Sequence, residues 1–257
     1  LLALVLINVP IAVALAVVAS AAMVFAHGPD VLPNVALVMM DGATNFPLIA
    51  IPLFILAGAI MNSTGISRRL IAFASAIFGF VKGGLAMVNI GTSLFFAEIS
   101  GSAVADVAAL GSILIPSMKN KGYPAPFAAA VTSSSATLAV IIPPSIPMIL
   151  YAVMAQSSVV QLFVAGIVPG VLGGFLMMVV AHRFAVHYNY PVEEVFKVSQ
   201  VVATFKDAAL AFTLPLIILG GIFGGFVTAT EGAGLAVVAA MVIGTIYREL
   251  DWPHLKQ

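Results

Sequence analysis

The residues with the clearest chemical potential form a polar interruption in an otherwise apolar stretch of the chain. The interruption reads Ser100-Gly101-Ser102, and a carboxylate stands on each side of it, Glu98 and Asp106. Glycine permits a tight turn. The serine hydroxyls and free backbone carbonyls of such a turn are oxygen ligands, which sodium prefers, and the adjoining helix ends add dipole charge. We therefore predict ion or solute binding at Ser100, Gly101, Ser102 and Asp106.

A purely structural interpretation of the same residues stays open. Small residues let membrane helices pack closely, and Ser-Gly-Ser would serve that purpose as well. A carboxylate at membrane depth is costly and marks a functional site by default. Asp106, however, falls in the first turn of the following helix, where a negative charge suits the helix dipole.

A second polar interruption follows at residues 132–147, which read TSSSATLAVIIPPSIP. Proline removes a backbone donor and blocks the preceding helical turn, so two adjacent prolines free several carbonyls. These carbonyls and the nearby hydroxyls could hold a cation opposite the first turn; a kinked packing helix is the alternative. The predicted ligands in this segment are Ser135, Thr137, Pro143, Pro144 and Ser145, and the candidates for sodium itself are Ser100, Ser102, Thr137, Pro143 and Ser145.

The composition places these interruptions in a membrane. The chain is 62% hydrophobic and 8% charged, with a mean hydropathy of +1.17, whereas soluble domains carry about 25% charged residues. A bilayer has no water for free backbone groups, so a broken helix is tolerated only within protein or along a watery cavity. We predict an all-α integral membrane protein. A net charge of zero gives no reason to expect a nucleic-acid partner.

The sequence contains no pattern typical of an enzyme. It has no cysteine, and its four histidines are scattered. It also lacks a Ser-His-Asp set, an HExxH motif and a Gly-rich phosphate loop, so we expect neither enzymatic activity nor a bound cofactor. The chain opens on Leu1 inside an apolar run without a charged leader. We therefore expect no signal peptide, and a chain trimmed at one or both ends.

The lengths of the apolar segments predict a re-entrant hairpin and a broken helix within a multi-span bundle. Helices over 85–98 and 103–118 would each reach about 22 Å, short of the roughly 30 Å of a bilayer core. Ser-Gly-Ser would then be the tip of a hairpin, and Lys82, Lys119 and Lys121 would share one side, the cytoplasmic one by the positive-inside tendency. Residues 127–140 and 148–153 would be two half-helices separated by the prolines.

About seven spanning elements and the hairpin make up the predicted bundle. We divide it into scaffold helices at 1–82, half of a transport domain at 83–156, and further spans at 157–257. The last part contains a polar connector at 187–207, interpreted as a surface helix, and an interfacial anchor at 247–252.

Several stretches of the chain resemble the large membrane subunit of tripartite ATP-independent periplasmic (TRAP) transporters of the C4-dicarboxylate type. The central match is ISGSAVADVAALGSILIPSMKNKGYPAPFAAAV at 99–131, followed by SSSATLAVIIPPSIPMILYAV at 133–153. NVPIAVAL near the start, PLFILAGAIMNSTGISRRL at 52–70 and TATEGAGLAVVAA at 228–240 agree as well. The resemblance covers nearly the whole chain.

The resemblance implies a sodium-driven secondary transporter of the elevator type, multi-pass in the bacterial inner membrane. Its solute would be an organic acid, either a C4-dicarboxylate or a sialic-acid-like compound, and sodium would be the coupling ion. A small four-helix membrane subunit and a periplasmic solute-binding protein would be its partners. Ser100, Gly101 and Ser102 would form the hairpin tip, and Thr137 with Pro143–Ser145 the unwound part of the next helix.

Two further expectations concern the completeness of the site and an alternative function. The family's large subunit has a second, inverted half, so this chain would hold half of a site. The alternative function is a passive channel or a structural membrane subunit whose broken helices line a pore.

Overall fold

A computed structural model describes residues 1–192 and 195–249, with residues 98–100 described by their backbone alone. Every regular element among these residues is a helix, which confirms the predicted all-α class. Contacts divide the chain into two compact units, Leu1–Leu48 and Ile49–Gln257. The functional division predicted at residues 82 and 156 stays a prediction.

The first unit is small and consists of three helices. They are α1 (Leu2–Leu6), α2 (Ile11–His27) and α3 (Leu32–Thr44), with a 3-10 turn at Pro29–Val31 between the last two. Pro10 is the N-cap of α2, because proline fits the start of a helix and cannot continue one from the preceding turn.

The second unit holds the hairpin, the broken helix and the longer helices. Its elements are α4 (Ala50–Ser63), α5 (Ile66–Phe78), α6 (Gly84–Ser100), α7 (Ala103–Asn120), α8 (Ala125–Ala136), α9 (Leu138–Ile141), α10 (Ile146–Met154), α11 (Val159–His187), α12 (Val198–Phe223) and α13 (Ala229–Ile246). A further 3-10 turn, Phe46–Ile49, leads into α4. Residues 198–207, which we placed in the polar connector, form the first turns of α12.

Four segments of the described chain are long and apolar enough to cross a membrane. They are Phe46–Ser63, α11, α12 and α13, and a fifth span results if α8–α9 and α10, bent by 42°, are counted as one. The prediction of about seven spans was therefore wrong by this measure. Two further helices, α2 and α6, are apolar but shorter, with 17 residues each, and are not among these spans.

Small and aromatic side chains hold the longer helices of the second unit together. Alanines spaced along one face of α13 are buried where that helix packs on α4, because small residues let membrane helices approach closely. Phe73 on α5 lies at the centre of an aromatic cluster, with its ring 5.1 Å from Phe212 of α12 and 5.9 Å from Phe95 of α6. These contacts join α5 and α12 to the first arm of the hairpin.

Both ends of the hairpin meet the segment that follows α11. Lys82 Nζ donates to Asn189 Oδ1 at 2.9 Å, and Gly83 N donates to Pro191 O at 3.1 Å. At the far end of α7, the ring of Tyr123 lies 4.7 Å from that of Tyr190. The two arms therefore start and finish on the same side of the molecule, as the hairpin requires. The cytoplasmic assignment of that side stays a prediction.

Glycines on one face of α11 bring this helix against the broken helix. A Cβ added to Gly166 would collide with the carbonyl oxygen of Ile141, a backbone atom that cannot move aside cheaply. We expect Gly166→Ala to lower the free energy of unfolding by about 1–3 kcal/mol, the usual cost of overpacking. Thermal unfolding of the purified protein in detergent measures it.

Gly220 provides the matched control, because it also lies within a long helix but a Cβ there meets nothing within 4 Å. Gly220→Ala should leave the unfolding temperature unchanged or raise it. Equal unfolding temperatures for the two variants would contradict the packing described for α11.

Candidate functional site

The Ser-Gly-Ser segment forms the sharp tip of the helical hairpin. α6 ends at Ser100, and Gly101 takes the left-handed conformation, with φ of 57°. Ser102 is the N-cap of α7, and its Oγ accepts from Ala105 N at 3.4 Å. The chain thus reverses within two residues. The side chains of Ser100 and Glu98 lie outside the described part of the structure.

The Pro-Pro segment forms a genuine break between two half-helices. Ile142 is extended, and the peptide between Pro143 and Pro144 is cis. Ser145 is the N-cap of α10: its Oγ accepts from Met148 N at 3.4 Å and donates to the carbonyl of Val140 at 2.6 Å. The serine hydroxyl therefore bridges the two half-helices, and residues 143–145 are buried.

The hairpin tip and the break are in direct contact. Ile146 N donates to the carbonyl oxygen of Gly101 at 3.1 Å. A Cβ built on Gly101 would lie 2.6 Å from the carbonyl oxygen of Pro144, so only glycine fits there. Gly101, Pro144 and the start of α10 thus form one continuous surface of backbone groups, with the hydroxyls of Ser102 and Ser145 next to them in the chain.

Ser135 and Thr137 make their hydrogen bonds elsewhere. Thr137 lies at the junction of α8 and α9, is exposed, and donates to the carbonyl of Ser134 at 2.6 Å. Ser135 is fully buried and bonds to Ser93 Oγ at 2.8 Å. Neither residue has a described hydrogen bond to the tip or to the break, so their assignment as ion ligands stays a prediction.

Asp106 is buried on the inner face of α7. Its backbone N donates to the carbonyl of Ser102 at 3.0 Å, in the first turn of the helix. It shares its face with Leu110, Leu114 and Met118, all of them buried. This position suits a carboxylate that stabilises the helix N-terminus, and it also lies one turn from the tip. The position of Asp106 is therefore compatible both with ion or solute binding and with a purely structural role at the helix N-terminus.

A ladder of buried polar side chains joins the first hairpin arm to the broken helix. Asn89 Nδ2 donates to Thr132 Oγ1 at 2.7 Å, and the next pair along is Ser93 with Ser135. All four side chains are at most 1% exposed. Asn89 and Ser93 were not among the predicted site residues. Residues four apart share a face of a helix. The spacing of Asn89 and Ser93 in an apolar helix could therefore have predicted a polar face there.

The donor set at the tip and the break consists of neutral oxygens. In residues 1–192 and 195–249 no three His, Cys, Asp or Glu side chains cluster as metal ligands would. Unwound backbone carbonyls and helix ends are the groups with which broken membrane helices coordinate monovalent cations. The arrangement therefore suits a sodium ion better than a transition metal, which prefers imidazole or thiolate.

Comparison with known proteins identifies relatives for the whole chain. The model of the tripartite ATP-independent periplasmic transporter, DctM component, matches residues 1–257. The isethionate TRAP transporter permease protein DctMQ of Oleidesulfovibrio alaskensis is 40% identical over 95% of this chain, and the match covers 39% of that relative. The C4-dicarboxylate TRAP transporter large permease protein DctM of Pseudomonas aeruginosa is 40% identical over 86% of the chain and 52% of the relative.

A third relative is similar to the same degree. The sialic acid TRAP transporter permease protein SiaT of Haemophilus influenzae is 40% identical over 80% of this chain and 34% of its own length. The chain thus spans about half the length, or less, of these three relatives.

Replacement of Gly101 should separate the tip from the break. Gly101→Ala places a methyl group against the carbonyl of Pro144 and strains a left-handed backbone, so we expect loss of the Ile146–Gly101 hydrogen bond. Amide exchange in the peptide over residues 145–149 should then rise at least tenfold, which corresponds to about 1.4 kcal/mol of lost protection. Hydrogen-exchange mass spectrometry measures it.

Gly122→Ala is the control, because Gly122 also has a positive φ, 88°, but faces open space. It carries the same type of backbone strain without the collision. If it raised exchange at residues 145–149 as much as Gly101→Ala does, the contact between tip and break would not be the cause.

The polar ladder should show pairwise coupling. In a double-mutant cycle of Asn89→Ala with Thr132→Val, we expect a coupling free energy of about 0.6 kcal/mol, and at most about 1.7, as for hydrogen bonds between membrane helices. Unfolding in mixed micelles measures it. Among the described residues, the Ser117 hydroxyl bonds within its own helix, to the carbonyl of Ile113, so Asn89→Ala with Ser117→Ala should be additive. Coupling in that control would indicate a global effect.

Proposed function

Since the chain belongs to the DctM family of tripartite ATP-independent periplasmic transporters, we propose that it couples sodium movement to the uptake of an organic acid. The family consists of transport proteins and not enzymes, and the chain is a multi-pass protein of the bacterial inner membrane. Its role as the large membrane subunit of such a system follows from the family. The coupling ion, the solute and the partners belong to the proposal.

The contact between Gly101 and the Pro143–Ser145 break is the observation that supports the proposal most. A sodium ion bound by carbonyls and hydroxyls of these two segments would hold the tip against the break. Without the ion, the tip would rest on the hydrogen bond from Ile146 N to the Gly101 carbonyl and would be held less firmly. The solute would bind to the surface so completed, with Ser102 as a hydroxyl donor.

Coupling requires that sodium favour the solute-bound state over the empty one. Ordering of the tip by sodium meets this requirement. The ion provides the free energy needed to order the tip, so the solute that binds afterwards does not have to provide it and binds more tightly. The loaded block, residues 83–156, would then move relative to the scaffold helices as an elevator. We propose that half of the complete site comes from a second, inverted half, as the resemblance to the family implies.

The solute class and the partners come from the relatives. Their names give isethionate, C4-dicarboxylate and sialic acid as solutes, and all three are organic acids. We propose a solute of this class, delivered by a periplasmic binding protein, and a small four-helix membrane subunit as the other partner.

Uptake into proteoliposomes tests the function. They contain the complete permease with its small subunit, the candidate binding protein outside, and a panel of radiolabelled organic acids. We expect uptake that needs an inward sodium gradient and disappears when potassium replaces sodium. Ser102→Ala should lower uptake about five- to thirtyfold, since the loss of one ion ligand costs on the order of 1–2 kcal/mol. Pro144→Ala keeps the carbonyl but adds a backbone N–H and relaxes the break, so it should lower uptake by displacing the carbonyls that face the tip.

Ser117→Ala is the control variant, because this half-buried serine lies on α7 about four turns from the Ser102 cap, and its hydroxyl bonds to the carbonyl of Ile113 in the same helix. It should transport normally. Sodium-independent uptake would contradict the coupling mechanism, and unsaturable flux without the binding protein would support a channel instead.

A further inference from the structure

Two neighbouring arginines at the start of α5 have very different surroundings. The guanidinium of Arg69 is engaged on every side: it donates to Glu249 Oε1 at 2.9 Å and to the carbonyl of Gly65 at 3.2 Å. It also lies 3.5 Å from a carboxylate oxygen of Asp207 and stacks 3.8 Å from the centre of the Tyr247 ring. Its side chain is 18% exposed. Arg69 is therefore a structural residue that ties α5 to α12 and to the end of α13.

Arg68 is held at one point and is otherwise open. Its side chain is 74% exposed, and among the described residues it makes one hydrogen bond, from Nη2 to Glu249 Oε2 at 3.2 Å. A guanidinium has five N–H donors, so most of its donors face outward. The hydrogen bond from Arg69 lowers the pKa of Glu249. Glu249 is thus ionised at neutral pH and keeps Arg68 oriented.

The open side of Arg68 lines a cavity of about 700 Å³. That volume lies within the roughly 300–1,000 Å³ that small-molecule sites occupy. Arg68 is the charged residue among the described lining residues, and Asn62, Ser63 and Ser67 add polar groups beside it. No carboxylate is among these lining residues. Glu249 holds Arg68 from outside the cavity, so an anion here would meet the guanidinium donors that Glu249 leaves open.

The opposite wall of the cavity is the second arm of the hairpin. It consists of the α7 residues Ala105, Ala108, Ala109, Leu110, Ser112 and Ile113, most of them small. Ala105 is the residue whose N–H is capped by Ser102, so the cavity begins one turn from the tip. The buried face of the same helix carries Asp106. A solute in the cavity would therefore lie along α7, with its anionic end toward Arg68 and its other end toward the tip.

We propose that Arg68 binds the carboxylate of the organic-acid solute in this cavity, beside the hairpin tip. The assignment rests on the proposed function and adds to it the cationic group that the two broken segments lack. A guanidinium with free donors pairs with a carboxylate through two parallel hydrogen bonds. Lysine keeps the charge but not the paired geometry.

The concentration dependence of uptake tests this assignment. In proteoliposomes with the complete permease, we expect Arg68→Gln to raise the KM for a monocarboxylate or dicarboxylate solute about tenfold or more, since a hydrogen bond to a charged group contributes about 1.5–3 kcal/mol. The maximal rate and the sodium dependence should stay near those of the unaltered protein. Arg68→Lys should recover part of the loss.

Arg183→Gln is the matched control. Arg183 is an exposed arginine on α11 and lines none of this cavity, so its removal changes the net charge equally. Its KM should be unaltered. A thermal unfolding scan of each variant separates binding from stability: an Arg68→Gln effect that appears only together with a lower unfolding temperature would overturn the assignment.

The failures of the two proposals are distinguishable. If the unaltered permease takes up no organic acid with sodium, the proposed function fails. If it does so and Arg68→Gln has a normal KM, the assignment of Arg68 alone fails.

A phospholipid headgroup is the other anion that could reach Arg68. Vesicles of pure phosphatidylcholine and vesicles with phosphatidylglycerol separate the two sources. A KM effect of Arg68→Gln of the same size in both supports solute binding. An effect confined to the vesicles with phosphatidylglycerol would assign Arg68 to lipid and overturn the proposal.

Discussion

The need to satisfy backbone polar groups without water governs this structure. Two segments near each other in the membrane abandon the helix, and each exposes groups that a bilayer cannot satisfy. They meet instead: Ile146 N bonds to the carbonyl of Gly101, while Ser102 and Ser145 cap the helices that start from each break. The prolines help because they bring no N–H that would need a partner. Among the described residues, the backbone carbonyls of the two breaks that accept no hydrogen bond lie close together. A cluster of such carbonyl oxygens can coordinate a cation.

The surroundings of the breaks keep them in position. The polar ladder between α6 and α8 ties the hairpin to the broken helix at the level of Asn89 and Ser93, and the glycine face of α11 supports residues 141 and 142 from behind. Hydrogen bonds between membrane helices are individually modest, but here they fix the register of two helices whose ends must coincide. The irregular backbone of the site is thus held by regular, closely packed helices. Because these helices have little room to move, even small displacements of the site cost free energy.

The sequence was sufficient for the local features and insufficient for the long-range ones. Composition predicted the membrane class, and the Gly, Ser and Pro residues predicted both breaks, because these residues act on their own backbone. The prediction of about seven spans was wrong, since apolarity does not reveal where a helix ends. The pairing of Asn89 with Thr132 could not be predicted, because spacing identifies a polar face but not its partner. For the same reason, the sequence does not reveal that Arg68, which lies outside both broken segments, is brought beside α7 by the fold.

The groups suited to a cation and the group suited to an anion lie in two different parts of the chain. Neutral oxygens suited to a cation lie on the tip and the break, within the predicted transport block at 83–156. The cationic group suited to an anion, Arg68, lies on α5, within the predicted scaffold at 1–82, and Glu249 anchors it there. If the block moves against the scaffold, the ion travels with its ligands while Arg68 stays behind. Arg68 then contacts the solute at one end of the movement only. It would therefore govern how readily a solute is captured or released, whereas the stoichiometry of coupling would depend on the tip and the break.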